Sequence, residues 1–247
     1  PQYFYQSKLK NLVKSGFMND YDIIHVFEYP LFATDYLKIK KKLFSPPLIL
    51  SPHGSIHQFG NFPFNLMKKI NNKIMFKFID NVSMLLAATN AEKEHLVKRG
   101  FPENKVKVLS LGFGLPKIIR SPSIHPKVLF LGRLAGSKNI DLLVRAVFMC
   151  QRKDFELIIA GPDFGMLKTL QKLVSKFEME DRVTFRGRVS ESEKLQLLSE
   201  ATIFVYPSLE DIFSLSLIEA VGVGLPSIAF GIEANPEIFE NNSGLIV

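Results

Sequence analysis

The sequence predicts an α/β protein built from two Rossmann-like, doubly wound parallel-sheet domains facing across a cleft. Three observations predict it. Short apolar runs alternate with longer amphipathic segments along most of the chain. The alternation breaks at Leu115 to Pro126, which holds three prolines and no clear period, and then restarts. The length, 247 residues, suits two modest domains. The expected division is 1–118 and 119–247.

Composition supports packed domains. Hydrophobic residues make up 47% and charged residues 22%, enough for a core and too apolar for wholesale disorder. The single cysteine, Cys150, rules out an internal disulfide and fits a reducing compartment. No apolar run approaches the roughly 18 residues that span a bilayer, and no charged start precedes an apolar core as in a signal peptide. The expected location is cytoplasmic. The chain opens at Pro1 and stops at Val247 inside what reads as a strand, so it reads as a fragment incomplete at both ends. The net charge of +7 fits nucleic acid, an anionic membrane surface or phosphate-bearing small molecules. With no zinc-finger spacing and no RNP-type aromatic strand, nucleic acid comes last.

In the first half, residues 1–20 read as partly helical, with Gly16 as a stop. Asp22 to Phe27 reads as a buried parallel strand, with His25 a satisfied core or strand-end histidine rather than a ligand. The basic cluster Lys38 to Lys42 reads as a solvated helix face. Leu48 to Leu50 is a second strand, running into Ser51-Pro52-His53-Gly54. A histidine at a strand's carboxyl end beside a glycine is placed for chemistry, or it is a turn histidine bonded to backbone. His57 has no such support. Asn65 to Phe78 predicts a helix with Leu66, Ile70, Ile74 and Phe78 on one stripe and Lys69, Lys73 and Lys77 on the next. That helix either covers a sheet or lies on an anionic membrane. Met84 to Ala88 is a strand. Thr89 and Glu92 have capping-box spacing, and Gly100 ends the helix that follows. Val106 to Leu109 is the next strand.

After the linker, Lys127 to Leu131 is a strand, and Gly132 to Asn139 is a loop entering a helix that runs to about Cys150. Strands follow at Phe155 to Ala160, ending at Gly161, and at Val183 to Phe185, ahead of Arg188 and Val189. Helices are expected over Phe164 to Phe177 and Glu191 to Ser199. The pattern then reaches Ile203 to Tyr206, a strand that stops at Pro207-Ser208. A helix follows, and a last short strand begins at Ser227. Ligands in such units sit beyond the carboxyl ends of the strands. Glu210 and Asp211 stand there, with the amides of Phe213, Ser214 and Leu215 at a helix start that favours an anion. Glu219 lies eight residues after Asp211. On spacing alone, a surface turn before an ordinary helix is the favoured reading of these acids.

The whole phrase from Pro207 to Pro226, P-S-x-x-acid-x-F-S-L-x-x-x-E-A-x-x-x-G-x-P, resembles the signature of glycosyltransferase family 4, retaining sugar transferases of GT-B fold. The resemblance is strongest from Lys127 to Val247 and looser from Asp22 to Gly114. It implies transfer of a sugar from a nucleotide-diphosphate donor to a glycan, lipid or small-molecule acceptor. It implies no cofactor and no metal, and nothing here has metal-ligand spacing. By the same resemblance, Gly132, Arg133 and Lys138 hold the donor phosphates together with the amides of Phe213, Ser214 and Leu215. Glu219 takes the ribose hydroxyls, and Arg188, Val189 and Gly161 border the base. His53 and Asp211, with Glu210 next to it, orient the sugar and acceptor. Glu237 fits the family's closing motif or is a plain turn acid. Some family members use a basic helix to meet lipid acceptors, which keeps peripheral contact with an anionic membrane open.

The sequence departs from the family pattern in places. Asp211 stands where Glu is usual, Ser214 and Ile212 where Gly is common, and Leu111-Gly112 where many members have Asn-Gly. By the same resemblance, the family's first strand with its glycine-rich loop is expected before Pro1 and its final helix after Val247. Two rival functions share these features: a GT-B-fold nucleotide-sugar 2-epimerase, and a non-catalytic nucleotide-sugar binder.

Overall fold

Four parallel strands pair in sequence order in the first half of the chain: β1 (Ile24–Phe27), β2 (Leu48–Ser51), β3 (Met84–Ala87) and β4 (Val106–Val108). We describe them from a computed structural model covering residues 7–28, 32–53, 79–112, 114, 118–211, 213–232, 235–239 and 244–247. The expected helix over 65–78, His57 and Ile212 lie outside the described residues. Cα packing divides the chain after Leu111 into two units.

In the first unit, helices α1 (Ser7–Lys14), α2 (Phe32–Ile39) and α3 (Asn90–Lys98) accompany the sheet. Leu48, Leu50, Leu85, Leu96 and Val106 form the centre of its core. Gly16 takes a left-handed φ of 83° where α1 has ended, which glycine adopts without a Cβ penalty. The start of α3 is capped as its spacing predicts: Thr89 Oγ1 accepts from the Glu92 amide at 3.0 Å. The reciprocal bond is shifted by one residue, with Glu92 Oε2 accepting from the amide of Ala88 at 2.7 Å.

Two expectations for this unit are corrected. β1 is parallel but not buried: its residues alternate between half-buried and exposed, and Phe27 is 55% exposed. Among the described residues it lies at one end of the strand order and pairs with β2 alone. Lys38 is not part of a solvated face. It is 1% exposed and pairs with Asp35 at 2.9 Å, one turn back on α2. A lysine taken out of water needs such a partner, because its desolvation cost is several kcal/mol.

The second unit holds β5 (Lys127–Leu131), β6 (Glu156–Ala160), β7 (Val183–Gly187), β8 (Ile203–Tyr206), β9 (Ser227–Ala229) and β10 (Leu245–Ile246). All pairs are parallel, in the order β10-β9-β8-β5-β6-β7. The linking helices are α4 (Ile140–Met149), α5 (Leu167–Lys176), α6 (Glu191–Glu200), α7 (Leu215–Gly222) and the short α8 (Asn235–Ile238). Leu129, Phe130, Ile140, Ile159 and Phe204 are fully buried in one core. Each such side chain contributes about 1.5–3 kcal/mol relative to exposure. Asp163 Oδ1 accepts from the amides of Gly165, Met166 and Leu167 at the start of α5. Ser190 and Glu193 close a full capping box on α6.

The proline-rich stretch clings to this unit over its described part. Arg120 donates to the carbonyls of Gly224 at 2.9 Å and Ala201 at 2.6 Å, and the Ser121 amide donates to Ser199 O. Ile118 packs against the same core.

The strand order positions a site. From β5 the chain steps outward to β6 and β7, then returns to place β8 on the other flank of β5. The two loops leaving β5 and β8 therefore diverge over the seam between them. In an open doubly wound sheet this switch point is where ligands bind.

Candidate functional site

Gly132 and Gly161 follow β5 and β6 directly, and their backbones nearly touch. A Cβ on Gly161 would lie 1.8 Å from the carbonyl oxygen of Gly132, and Gly161 has a φ of 145°. No other residue type fits there without backbone movement. The Gly132 amide bonds Ala160 O and the Gly161 amide bonds Gly187 O, so three strand ends are tied into one rim.

The loop after β5 carries Arg133 and Lys138 in different surroundings. Arg133 is exposed and its guanidinium lies 5.3 Å from the Phe164 ring centroid, a cation–π distance. Lys138 is 6% exposed. Its Nζ donates to Asp211 Oδ2 at 2.8 Å and Tyr206 Oη at 2.8 Å, with Ser208 Oγ at 3.3 Å and Glu210 O at 3.4 Å. The fold makes Lys138 the centre of a buried network. The structure brings Lys138 and Asp211 together across the β5–β8 seam.

Tyr206, the last residue of β8, also donates its hydroxyl to Asp211 Oδ2. Burial, then the charge of Asp211, push the phenol far above its ordinary pKa, so it stays a donor. Its ring stacks between Phe130 and Phe204, at centroid separations of 6.2 and 6.1 Å. Sequence reasoning missed Tyr206 as a site residue. The available signal was a phenol ending a buried apolar run, where its hydroxyl must find a partner.

Ser214 stands at the N-cap position of α7 without a side-chain cap bond; it is buried, 1% exposed, and donates its hydroxyl instead to Asn235 Oδ1 at 2.9 Å. Asn235 in turn donates to Phe230 O, tying α8 to the start of α7. The Leu215 amide is not spare, as the sequence leads one to expect; it donates to Phe213 O at 3.0 Å. That turn takes one donor from the helix start. Glu219, on the second turn of α7, receives Lys194 of α6 at 2.5 Å. Lys194 is a second residue that the sequence did not single out.

Arg188 is exposed just past β7. Val189 packs against the core and lines a pocket of about 140 Å³ with Arg186 and Glu193. Glu237 sits in α8.

His53 belongs to the first unit, two residues beyond β2, with a left-handed φ of 47°. Its ring stacks on Phe27 at 5.6 Å and an interplanar angle of 6°. Beside it His25 bonds Ser51 Oγ at 2.9 Å. Burial and then the nearby His53 hold the His25 imidazole below its ordinary pKa. Histidine, phenylalanine and serine thus cluster at the carboxyl ends of β1 and β2. Among the described residues no group of three His, Cys, Asp or Glu could hold a metal ion. No helix among them is long and apolar enough to cross a membrane.

Two parallel-sheet α/β units with these strand-end loops define the GT-B class of sugar-handling folds. Solved structures of like fold include the HepE protein of Anabaena in complex with UDP, with a TM-score of 0.81 at 20% identity, covering 97% of this chain and 67% of that one. Sucrose-phosphate synthase from Thermosynechococcus elongatus aligns with a TM-score of 0.79 at 20% identity, covering 97% and 64%. The chain belongs to the family of glycosyl transferases group 1, whose profile matches residues 115–247, while that of glycosyltransferase family 4 matches residues 2–115. One relative is the GDP-mannose:cellobiosyl-diphosphopolyprenol alpha-mannosyltransferase of Xanthomonas oryzae, 24% identical over 92% of this chain and 60% of its own length. Another is the D-inositol 3-phosphate glycosyltransferase of Pseudarthrobacter chlorophenolicus, 28% identical over 69% of this chain and 45% of its own. The chain therefore spans less than two thirds of the length of these relatives.

Proposed function

We propose that the protein is a retaining glycosyltransferase that takes a sugar from a nucleoside-diphosphate donor and passes it to a glycan, lipid or small-molecule acceptor. One observation carries this reading: Lys138, Tyr206 and Asp211 meet over the β5–β8 switch point, with Arg133 on the same loop as Lys138. Breaking the bond from sugar to diphosphate leaves negative charge on the phosphate oxygens. Fixed positive charge there stabilises the transition state more than the ground state. Arg133 offers a fork and Lys138 a buried ammonium. With two cations at the leaving group, the chemistry runs without a metal.

The remaining roles follow from position. Glu219, held by Lys194, accepts the ribose hydroxyls. Gly161, Arg188 and Val189 border the base. His53, and Asp211 or Glu210, are assigned to orienting the sugar and acceptor. The relative named for GDP-mannose, and the neighbour holding UDP, support a nucleotide-sugar donor. The proposed setting is cytoplasmic, with peripheral contact at an anionic membrane where the acceptor is lipid-linked.

The test incubates the full-length protein with UDP-, GDP- and ADP-sugars, with and without candidate acceptors, in the presence of a chelator. A product whose anomeric proton coupling matches the donor's configuration is the expected result. An epimer formed from donor alone would make the protein an epimerase. Donor binding without transfer or hydrolysis across the acceptor panel would make it a binder.

A further inference from the structure

The ammonium assigned to the diphosphate already has a counter-ion. An ammonium has three N–H donors, and four acceptors stand within 3.4 Å of Lys138 Nζ. Of these, Asp211 alone is charged. A diphosphate oxygen reaching Lys138 must take the place of one of them.

The four are not equally replaceable. Tyr206 and Ser208 are 3% and 0% exposed. The Tyr206 ring is fixed between Phe130 and Phe204, and Ser208 Oγ is bonded to Glu210 O at 3.0 Å, which also secures that carbonyl. The Asp211 side chain is 21% exposed, three times as much as that of Lys138 at 7%. Both of its bonds fall on one oxygen, Oδ2. Asp211 is thus the acceptor nearest solvent, and it is an anion competing with an anion.

We propose that Asp211 is the resident counter-ion of Lys138, seated by the Tyr206 hydroxyl, and that a donor phosphate oxygen replaces it when the nucleotide binds. Tyr206 is the positioning residue: its hydroxyl accepts from Lys138 and donates to Asp211, so it holds the carboxylate against the ammonium. The exchange releases Asp211 toward the sugar only once the diphosphate is seated, which couples donor binding to assembly of the reacting site. No bond is made or broken in the exchange. The proposal rests on the donor-site reading above.

The test measures calorimetric Kd values of UDP, GDP and ADP, nucleotides without a sugar, for the full-length protein. Lys138→Ala tests the site itself: an unchanged Kd for the preferred nucleotide would overturn the donor-site reading, and with it this one. With that loss observed, Asp211→Asn tests the exchange alone. Removing the competing charge is expected to tighten the nucleotide about tenfold, which is 1.4 kcal/mol, while transfer falls. The gain must vanish when Asp211→Asn is made in the Lys138→Ala background, a coupling that a merely structural role would not produce. Unchanged or weaker binding in Asp211→Asn overturns the exchange. Should that variant not fold, Tyr206→Phe keeps both charges and loosens their seat. About threefold tighter binding is expected from it, and unchanged or weaker binding overturns the proposal equally.

Discussion

Lys194 on α6 and Glu219 on α7 are joined across the helix pair, Nζ to Oε1 at 2.5 Å, and Glu191 adds a second carboxylate 3.0 Å from the same nitrogen. The contact places a cation behind the carboxylate proposed for the ribose. It fixes the carboxylate through Oε1.

Lys194→Met is expected to raise the donor's KM about fivefold while kcat stays within about twofold, because uniform binding is what is lost. Steady-state kinetics on the full-length protein check the split. Burial pushes the Lys194 ammonium down, and the bonds to Glu219 and Glu191 outweigh it, so its pKa lies above the ordinary 10.5. A raised cation contributes stability below its unfolded pKa and loses it as pH rises through the folded value. The stability difference between wild type and Lys194→Met should therefore hold through neutral pH and shrink only above 10.5.

Gly161→Ala is expected to leave little folded protein. The added methyl meets the Gly132 carbonyl at 1.8 Å, and the left-handed φ forbids an easy shift. Gly136→Ala, in the loop after β5, meets nothing within 4 Å. Its stability should stay within about 0.5 kcal/mol of wild type. Parallel thermal melts of the two variants check the contrast.

Asp163→Ala should lower Tm by about 3 °C at neutral pH, the scale of a lost cap in a chain of this size. The Leu167 amide, with those of Gly165 and Met166, holds the Asp163 carboxyl below its ordinary value of 3.8. A depressed carboxyl contributes stability above its unfolded pKa and loses it as pH falls through the folded one. Melts of wild type and variant should accordingly converge below pH 3.8.

His53→Ala is expected to lower turnover about a hundredfold, the scale of a lost positioned acid, base or hydrogen-bond donor. Nucleotide Kd values should not change, because His53 belongs to the other unit. Turnover within a factor of about two would remove His53 from the proposed machinery.

Local patterns in the sequence carried the strands and caps. β5, β8 and the capping pair at Thr89 are readable because neighbours along the chain decide them. Lys38 and Lys138 were legible as charges but not as buried ones. Their burial depends on Asp35 one turn away and on Asp211 across the sheet, and the second pairing exists only once β8 lies beside β5. Tyr206 stayed hidden for the same reason, its partner being set by strand order. The exposure of β1 was misread because a continuous apolar run looks the same at an edge as in the middle of a sheet.

The central claim is that a diphosphate sits between the loops leaving β5 and β8. A crystal structure of the full-length protein with its preferred nucleoside diphosphate tests it most directly. The account predicts phosphate oxygens about 3 Å from Lys138 Nζ and from the Arg133 guanidinium, the ribose on Glu219, and Asp211 withdrawn from Lys138. A nucleotide bound elsewhere, with Lys138 and Asp211 still paired, would contradict it.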